Sequence, residues 1–476
     1  MVAVVLFLAL TTFAAFSAPP PMGEVVTTSA DQIGVAVTIY NQNLALIKDK
    51  RQLLLEKGEI KLAFREVSAQ MRPETAILSA SGLNVIEQNF EFDLLTPETL
   101  LQKYVGQAVE VISRHPTSGV ESRRSAKVLS ANNGVVLQFD DHIETGVPGR
   151  LAFSALPENL RERPTLTMLV ENQHSGSKEL ELSYLTGGLR WQADYVAELN
   201  ADDDAVNLSG WVTLTNASGA SYPDARVQLV AGDVHQAPSE PQFDGGGRRE
   251  MMMKAMPASA QNMAQEEMFE YHLYTLARPT TIADNQSKQV ALLQASAVSC
   301  KKEFLLRGSS FYYRQAYGEI DRKLKVGVFI EIENRKNNHL GLALPKGVVR
   351  VYKEDGKGAL QFVGEDRIDH TPENETVRLK LGEAFDLSAT RKQTSFKKIA
   401  GDGRYNYIYE ADFSIVMKNA KAEAVEIKVV EPIPGDWEIL TESHRHIKES
   451  SSAASWRIPV PAKGEAALDY RVRVKF

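Results

Sequence analysis

The stretch AALDYRVRVKF, residues 466–476, sorts its side chains by parity. Leu468, Tyr470, Val472, Val474 and Phe476 share one side, while Asp469, Arg471, Arg473 and Lys475 share the other. Successive strand residues point to opposite faces, so this is a strand with one buried and one wetted face. The same period of two returns in LKVGVFIEIEN (324–334), TVRLKLGE (376–383) and ELELSYL (179–185). Turn signals separate such runs: Asn216 to Gly219, Asn338 to Gly341, Asp355-Gly356 and Pro434-Gly435. Many short, half-buried strands predict an all-β protein of several antiparallel β-sandwich, Ig-like units.

Helical signal is sparse. TPETLLQKYVG offers Thr96 as cap, Pro97 as first helical residue and Gly106 as stop, enough for one short helix. From about 107 to 155 the pattern predicts a small inserted β-barrel-like subdomain, with turns at Gly119, Asn133-Gly134 and Gly146. Residues 24–164 form an expected N-terminal β domain, and 165–476 a β-sandwich region. Within the latter, 238–265 has consecutive glycines, prolines and methionines but no strand periodicity, and is expected as a long loop inside one domain. No long repeat is evident, and no sustained heptad occurs.

The formal charge of −7 and the acidic balance exclude a general nucleic-acid binder, which needs a basic surface to displace counterions. The apolar run Val2–Phe16, followed by small residues and prolines, has the form of a secretory signal peptide over 1–18, although no Lys or Arg precedes it. Export to the periplasm or cell envelope follows as an expectation. Cys300 is the single cysteine, so no intrachain disulfide can form. It alternates in phase with Val298 and Phe304, as a buried small residue on a strand does.

The segments LTGGLRWQADYVAELN (185–200), LSGWVTLTNASGASYPDARVQLVAGDV (208–234), FEYHLYTLARPTTIADNQSKQVALL (269–293) and EPIPGDWEIL (431–440) carry a family resemblance. So does the long run from Leu344 to Asp386. Over about 165–476 the chain resembles a bacterial exported family built on a domain of unknown function and related to mucoidy-inhibitor-like proteins. The resemblance implies an envelope protein of β architecture and supplies neither an activity nor catalytic residues. Members of the mucoidy-inhibitor type carry a coiled coil that this chain lacks.

The richest polar stretch is GEDRIDHTPENE, residues 364–375, with five acids and a histidine. Asp366, Asp369 and His370 could serve a metal-dependent envelope hydrolase. The spacing does not match a calcium loop, and Asx residues at a strand-to-strand turn bond neighbouring amides, so the turn is the adopted reading. Met251, Met252, Met253 and Met256 are soft ligands of the kind copper handling uses, but neighbouring Arg248, Arg249 and Lys254 oppose a cation. They are read as adaptable partner contacts. His444 and His446 would share one side of an extended strand and begin a zinc site, without a third ligand in view. Trp191, Tyr195, Trp211, Trp437 and Trp456 suit either a sugar-binding face or an inter-sheet core. The closing strand also resembles that of an outer-membrane barrel. No GxSxG, HExxH, Walker, CxxC or helix-opening GxGxxG motif occurs.

The sequence thus predicts a non-catalytic binding or structural β module with no cofactor and no bound metal. Its expected partner is an envelope protein or polysaccharide, with peripheral membrane association among the expected modes and nucleic acid excluded. The hydrolase, the copper protein and the outer-membrane barrel stand as alternatives.

Overall fold

The computed structural model describes residues 23–476 apart from 92–94, 116–118, 133, 148, 158–159, 233, 236–262, 269–270 and 402. Strand makes up 65% of it and helix 5%, so the period-two patterning sets the architecture and the fold is all-β. The helix is Pro97–Lys103, with the Thr96 hydroxyl accepting from the Thr99 amide at 3.1 Å.

The first sandwich sets a four-stranded sheet, ordered Glu24–Thr27, Gly58–Arg65, Thr165–Asn172, Leu83–Glu91, against an eight-stranded sheet built on Gln32–Tyr40, Leu44–Leu55 and Gly176–Thr186. Leu62, Phe64 and Leu166 from one and Val37, Ile39 and Leu182 from the other meet in a single core. Strands from both sides of the 164/165 boundary share these sheets: Thr165–Asn172 pairs with Gly58–Arg65, and Gly176–Thr186 with Leu44–Leu55. Local patterning cannot locate such distant partners.

Among the described strands, four pairs run parallel within sheets that are otherwise antiparallel. One is Gln32–Tyr40 with Tyr222–Ala231, joined across most of the first half of the chain. A partner that distant is free of the hairpin geometry that imposes antiparallel pairing.

The barrel-like subdomain expected near 107–155 is a five-stranded antiparallel sheet with its own core around Val109, Val111, Val128 and Leu137. It stays open, because Ile143–Thr145 and Arg150–Ala152 end it and each pairs on one side. Gly119, Gly134 and Gly146 sit at its turns with φ of +73°, +128° and +105°, where an L side chain would be strained.

A thirteen-stranded sheet carries the remainder. Three of its strands, Gln286–Arg307, Glu319–Glu333 and Thr376–Ala400, are long because each serves two cores. Leu292 and Val298 of the first enter the first core, while Phe304 and Leu306 enter a second. Val377 and Leu379 divide from Leu387 and Ala389 in the same way. Bulges at Lys325/Gly327 and Val328/Phe329 let the ladder turn between them. The two halves are therefore tied by continuous strands and not by a linker.

The closing strand Glu465–Lys475 pairs on both sides, with Tyr407–Asn419 and Asp436–Glu442. Leu468, Tyr470, Val472 and Val474 are buried in the second core. Outside, Arg471 stands opposite Asp412 and Arg473 opposite Glu410, with bonds of 2.5 and 2.6 Å. A lipid-facing apolar band cannot be built from that face, and no closed barrel is present among the described residues, which corrects the outer-membrane-barrel alternative. Trp191, Tyr195, Trp437 and Trp456 are core residues, and Trp211 is half-buried.

A recurring device ends the strands. Asn216 and Asn419 are the last residues of their strands and Asn334 comes directly after one, and all are at most 3% exposed, so their amides must find partners inside the protein. The Asn216 amide donates to the carbonyls of Ala220 and Ala283 at 2.8 and 3.0 Å. The Asn334 amide donates to Leu342 and Pro372 at 2.6 and 2.9 Å, and that of Asn419 to Glu423 and Pro461 at 2.8 and 3.0 Å. In each case one carbonyl belongs to the following turn and the other to a returning strand end, so the side chain clamps two loops at one sandwich end.

Asn419→Ala should leave those carbonyls without a donor and lower stability by about 2–3 kcal/mol. Urea unfolding, read as a shifted midpoint at constant slope, measures it. The exposed neighbour change Lys418→Ala should stay within about 0.5 kcal/mol of the unaltered chain. Equal losses in the two would remove the clamp from the account.

Candidate functional site

Where Gln286–Arg307 passes from one core to the next, neither core claims its side chains. There Lys301, Lys302 and Glu303 interrupt the apolar alternation, and a polar cleft of about 820 Å³ opens between the two halves. The turn after Leu189–Leu199, the end of Gly347–Glu354 and the strands Val425–Pro432 and Ala453–Val460 supply its other walls.

Charge pairing organises this cleft. Asp203 accepts Lys302 at 2.7 Å and Lys353 at 2.5 Å. Burial works to raise the Asp203 carboxyl, but the two lysines overcome it and hold it below the usual carboxylate range. Glu303, 5% exposed, lies 2.6 Å from Arg378 and 3.8 Å from Arg457. Arg457 also binds Glu426 at 2.7 Å, and that bond, against some desolvation, lifts its guanidinium above the usual value. The Phe304 ring lies beneath the Lys302 and Lys421 ammonium groups, 5.4 and 5.6 Å from its centroid. Among the described residues, Lys301 and Lys421 make no ion pair, so their charges are available to an anionic group entering the cleft. Asp203 is driven away from proton donation, and the cleft is equipped to hold charge more than to move protons.

In the stretch 364–375, residues 364–368 close the strand Leu360–Ile368 and 369–375 form the turn into Thr376–Ala400. Asp366 accepts the Lys380 amide at 2.7 Å and the Arg367 amide at 2.8 Å, so its carboxylate stitches the edge strand to the next. The Asp369 side chain is exposed, and its carbonyl accepts the Thr371 hydroxyl at 2.9 Å. His370 Nδ1 accepts the Lys346 amide at 3.3 Å, and its Nε2 lies 3.4 Å from the Asn41 side-chain nitrogen. Asn374 takes a φ of +72° and donates its amide to the Asn334 carbonyl. Among the described residues, no three His, Cys, Asp or Glu side chains converge on a common point for a metal.

His444 and His446 lie in the turn between Asp436–Glu442 and Ile447–Ser450, which corrects the extended strand expected for them. His444 Nδ1 is 2.9 Å from the Ser443 hydroxyl. His446 Nδ1 is 2.9 Å from Glu442, and its ring packs between Trp437 and Trp456. Met251, Met252, Met253 and Met256 lie outside the described residues. The loop expected to run to 265 ends sooner, since Ala264 and Gln265 open the strand Ala264–Met268, a hairpin partner of Tyr271–Thr275. The residues of the cleft were passed over in the sequence because they are spread across many segments. The one local signal was the charged triplet at 301–303, placed where a strand should have continued to alternate.

Residues 180–476, more than half of the chain and the whole of the cleft, match the model of a family described as a domain of unknown function, DUF4139. No curated protein matches the chain.

Cys300 borders the cleft, with its thiol 3.8 Å from the Asp203 carbonyl. Burial, aided by Asp204 and Asp203, pushes the thiol up to about 11. The thiolate is the reactive form, so at pH 8 alkylation by iodoacetamide should run roughly 100-fold slower than in the urea-unfolded chain. The rate should climb only as pH approaches the shifted value. Alkylation at the unfolded rate would contradict the packing described for this strand.

Proposed function

The chain belongs to the DUF4139 family, a domain of unknown function, and from that premise we propose that it is an exported, non-catalytic binding module of the cell envelope. Its relation to mucoidy-inhibitor-like proteins and its periplasmic or envelope location are parts of this proposal. The apolar leader-like run at 2–16 and the family resemblance support the location. The ligand place is the cleft between the two cores, a position where binding sites commonly form.

One observation carries the binding reading. The polar residues best suited to catalysis, Asp366 and His370, accept backbone amides of their own and neighbouring segments, whereas among the described residues the cleft keeps two cations without carboxylate partners. A partner presenting carboxylate or phosphate groups, whether envelope protein or polysaccharide, fits Lys301 and Lys421. No step of this reading needs a cofactor or metal.

Capture from envelope extracts with the full chain and with a Lys301→Glu/Lys421→Glu chain tests it. These two side chains lie outside the ion-pair network, so the variant should fold and melt as the original does. The proposal expects the retained partner to bind about tenfold more weakly or worse to the reversed-charge chain. Undiminished capture would rule the cleft out. A hydrolytic activity of the purified chain that Asp366→Ala abolishes would replace the proposal with the metal-dependent hydrolase.

A further inference from the structure

The far end of the second core presents a surface that the cleft does not explain. Along Tyr407–Asn419 the residues Ala411, Phe413, Ile415 and Met417 face inward and are at most 3% exposed. Tyr409 and Tyr407 have the same parity, yet Tyr409 is half-buried and Tyr407 is 48% exposed. The core-facing side of the sheet therefore runs past the end of its core and emerges into solvent.

What emerges is a cluster of rings. Tyr407 and Tyr409 lie nearly parallel, at 6° and 6.3 Å between centroids. Phe396 stacks on Tyr409 at 5.4 Å, and Phe476 meets the same ring edge-on at 5.8 Å. Cations cover the cluster: Lys398 lies 4.6 Å from the centroid of Tyr407, and Arg314 lies 5.9 Å from that of Phe476. Arg404 and Lys475 lie 5.3 and 5.6 Å from that of Tyr405. Asp436 accepts the Tyr405 hydroxyl at 2.6 Å, and that bond, helped by the charges of Lys475 and Arg404, holds its carboxyl below the usual range. On a chain of net charge −7, Arg314, Lys398 and Lys475 gather at rings of which Tyr407 is exposed and Tyr405, Tyr409 and Phe476 are half-buried.

We infer that this end of the sandwich docks on an anionic lipid bilayer, with Tyr407 and Tyr409 entering the headgroup layer and Arg314, Lys398 and Lys475 meeting lipid phosphates. Tyrosine, with an apolar ring and a polar tip, is favoured at the boundary between water and hydrocarbon. Long basic side chains lay their stems on apolar rings and keep their charges among the headgroups. An acidic sugar chain fits less well, because the ring faces it would stack on are already occupied by the protein's own cations. Only the whereabouts of such a bilayer rests on the envelope reading; the surface itself is independent of the cleft.

Vesicle co-sedimentation of the full chain tests the inference, using phosphatidylcholine alone and phosphatidylcholine with added phosphatidylglycerol. The chain should bind only the anionic vesicles, and binding should weaken as salt rises. Arg314→Ala/Lys398→Ala should weaken it on the order of 25-fold, from roughly fivefold per cation near the surface. Tyr407→Ser, at an exposed ring, should weaken the salt-resistant part. If the double variant loses its near-UV circular dichroism, Lys398→Gln and the salt dependence of the unaltered chain decide. The Lys301→Glu/Lys421→Glu chain should bind vesicles normally, so failure of the cleft and failure of this surface are separable. Equal binding to both vesicle types, indifference to the substitutions, or preference for soluble polygalacturonate over vesicles would overturn the inference.

Discussion

A sandwich this rich in strands must dispose of backbone groups at its ends, where ladders stop and chains turn back over an apolar core. A buried carbonyl without a donor is costly. Asn216, Asn334 and Asn419 meet that constraint by one arrangement repeated three times, each amide joining the turn it begins to a returning strand. Their side-chain oxygens complete the motif by accepting amides of the same turn, from Ser218, Gly341 and Lys421. The acidic stretch at 364–375 belongs to this scheme. The Thr371 and Pro372 carbonyls end on Asn334, and the Asn374 amide returns to the Asn334 carbonyl. The fold uses the backbone of 371–374 and the Asp366 carboxylate, while the side chains of Asp369 and Glu375 are exposed.

The same logic explains why the cleft is polar. Three strands run through both cores, and each must cross a short interval in which it faces neither. Apolar side chains there would sit in water, so the interval carries charge, and cross-strand pairing of opposite charges keeps those side chains ordered. Glu303 with Arg378 and Arg457, and Asp203 with Lys302 and Lys353, are consequences of the crossing. The two cations that no carboxylate engages are the part of the arrangement that structure alone does not require.

Alternation along single strands was readable from the residues, as in 466–476, where Leu468, Tyr470, Val472 and Val474 of the inward set are buried and Phe476 at the strand's end is half-buried. The helix at 97–103 was equally plain, because Thr96 and Pro97 are local devices. Pairing was not. Nothing local in Gln32–Tyr40 announces Tyr222–Ala231 as its parallel neighbour, and sheet membership across residue 165 depends on contacts between distant segments. The asparagine repeat escaped because three equivalent residues at unequal spacings, 118 and then 85 positions apart, make no periodic signal. The cleft escaped for the same reason, since its lysines, arginine and acids come from separate strands.

Each core also encloses an ion pair, and the two differ in a way that bears on register. Arg51 donates to Asp49 through two nitrogens at 3.0 and 2.8 Å and to the Arg65 carbonyl of the four-stranded sheet at 3.0 Å. Gln32 supplies a donor to the second Asp49 oxygen. In the second core Arg391 bonds Glu431, whose other oxygen accepts the Tyr313 hydroxyl at 2.9 Å. Burial pushes the Glu431 carboxyl up in spite of the arginine. Among the described residues, Arg391 leaves Nε and Nη1 without partners, and its guanidinium lies 4.8 Å from the centroid of the Tyr312 ring. Desolvation offsets most of what such pairs gain, so they add little net stability. Their consequence is alignment. Sliding Leu44–Leu55 by one residue turns Arg51 away from the core and leaves an apolar neighbour's face in water, so only one register satisfies both charge and apolar surface.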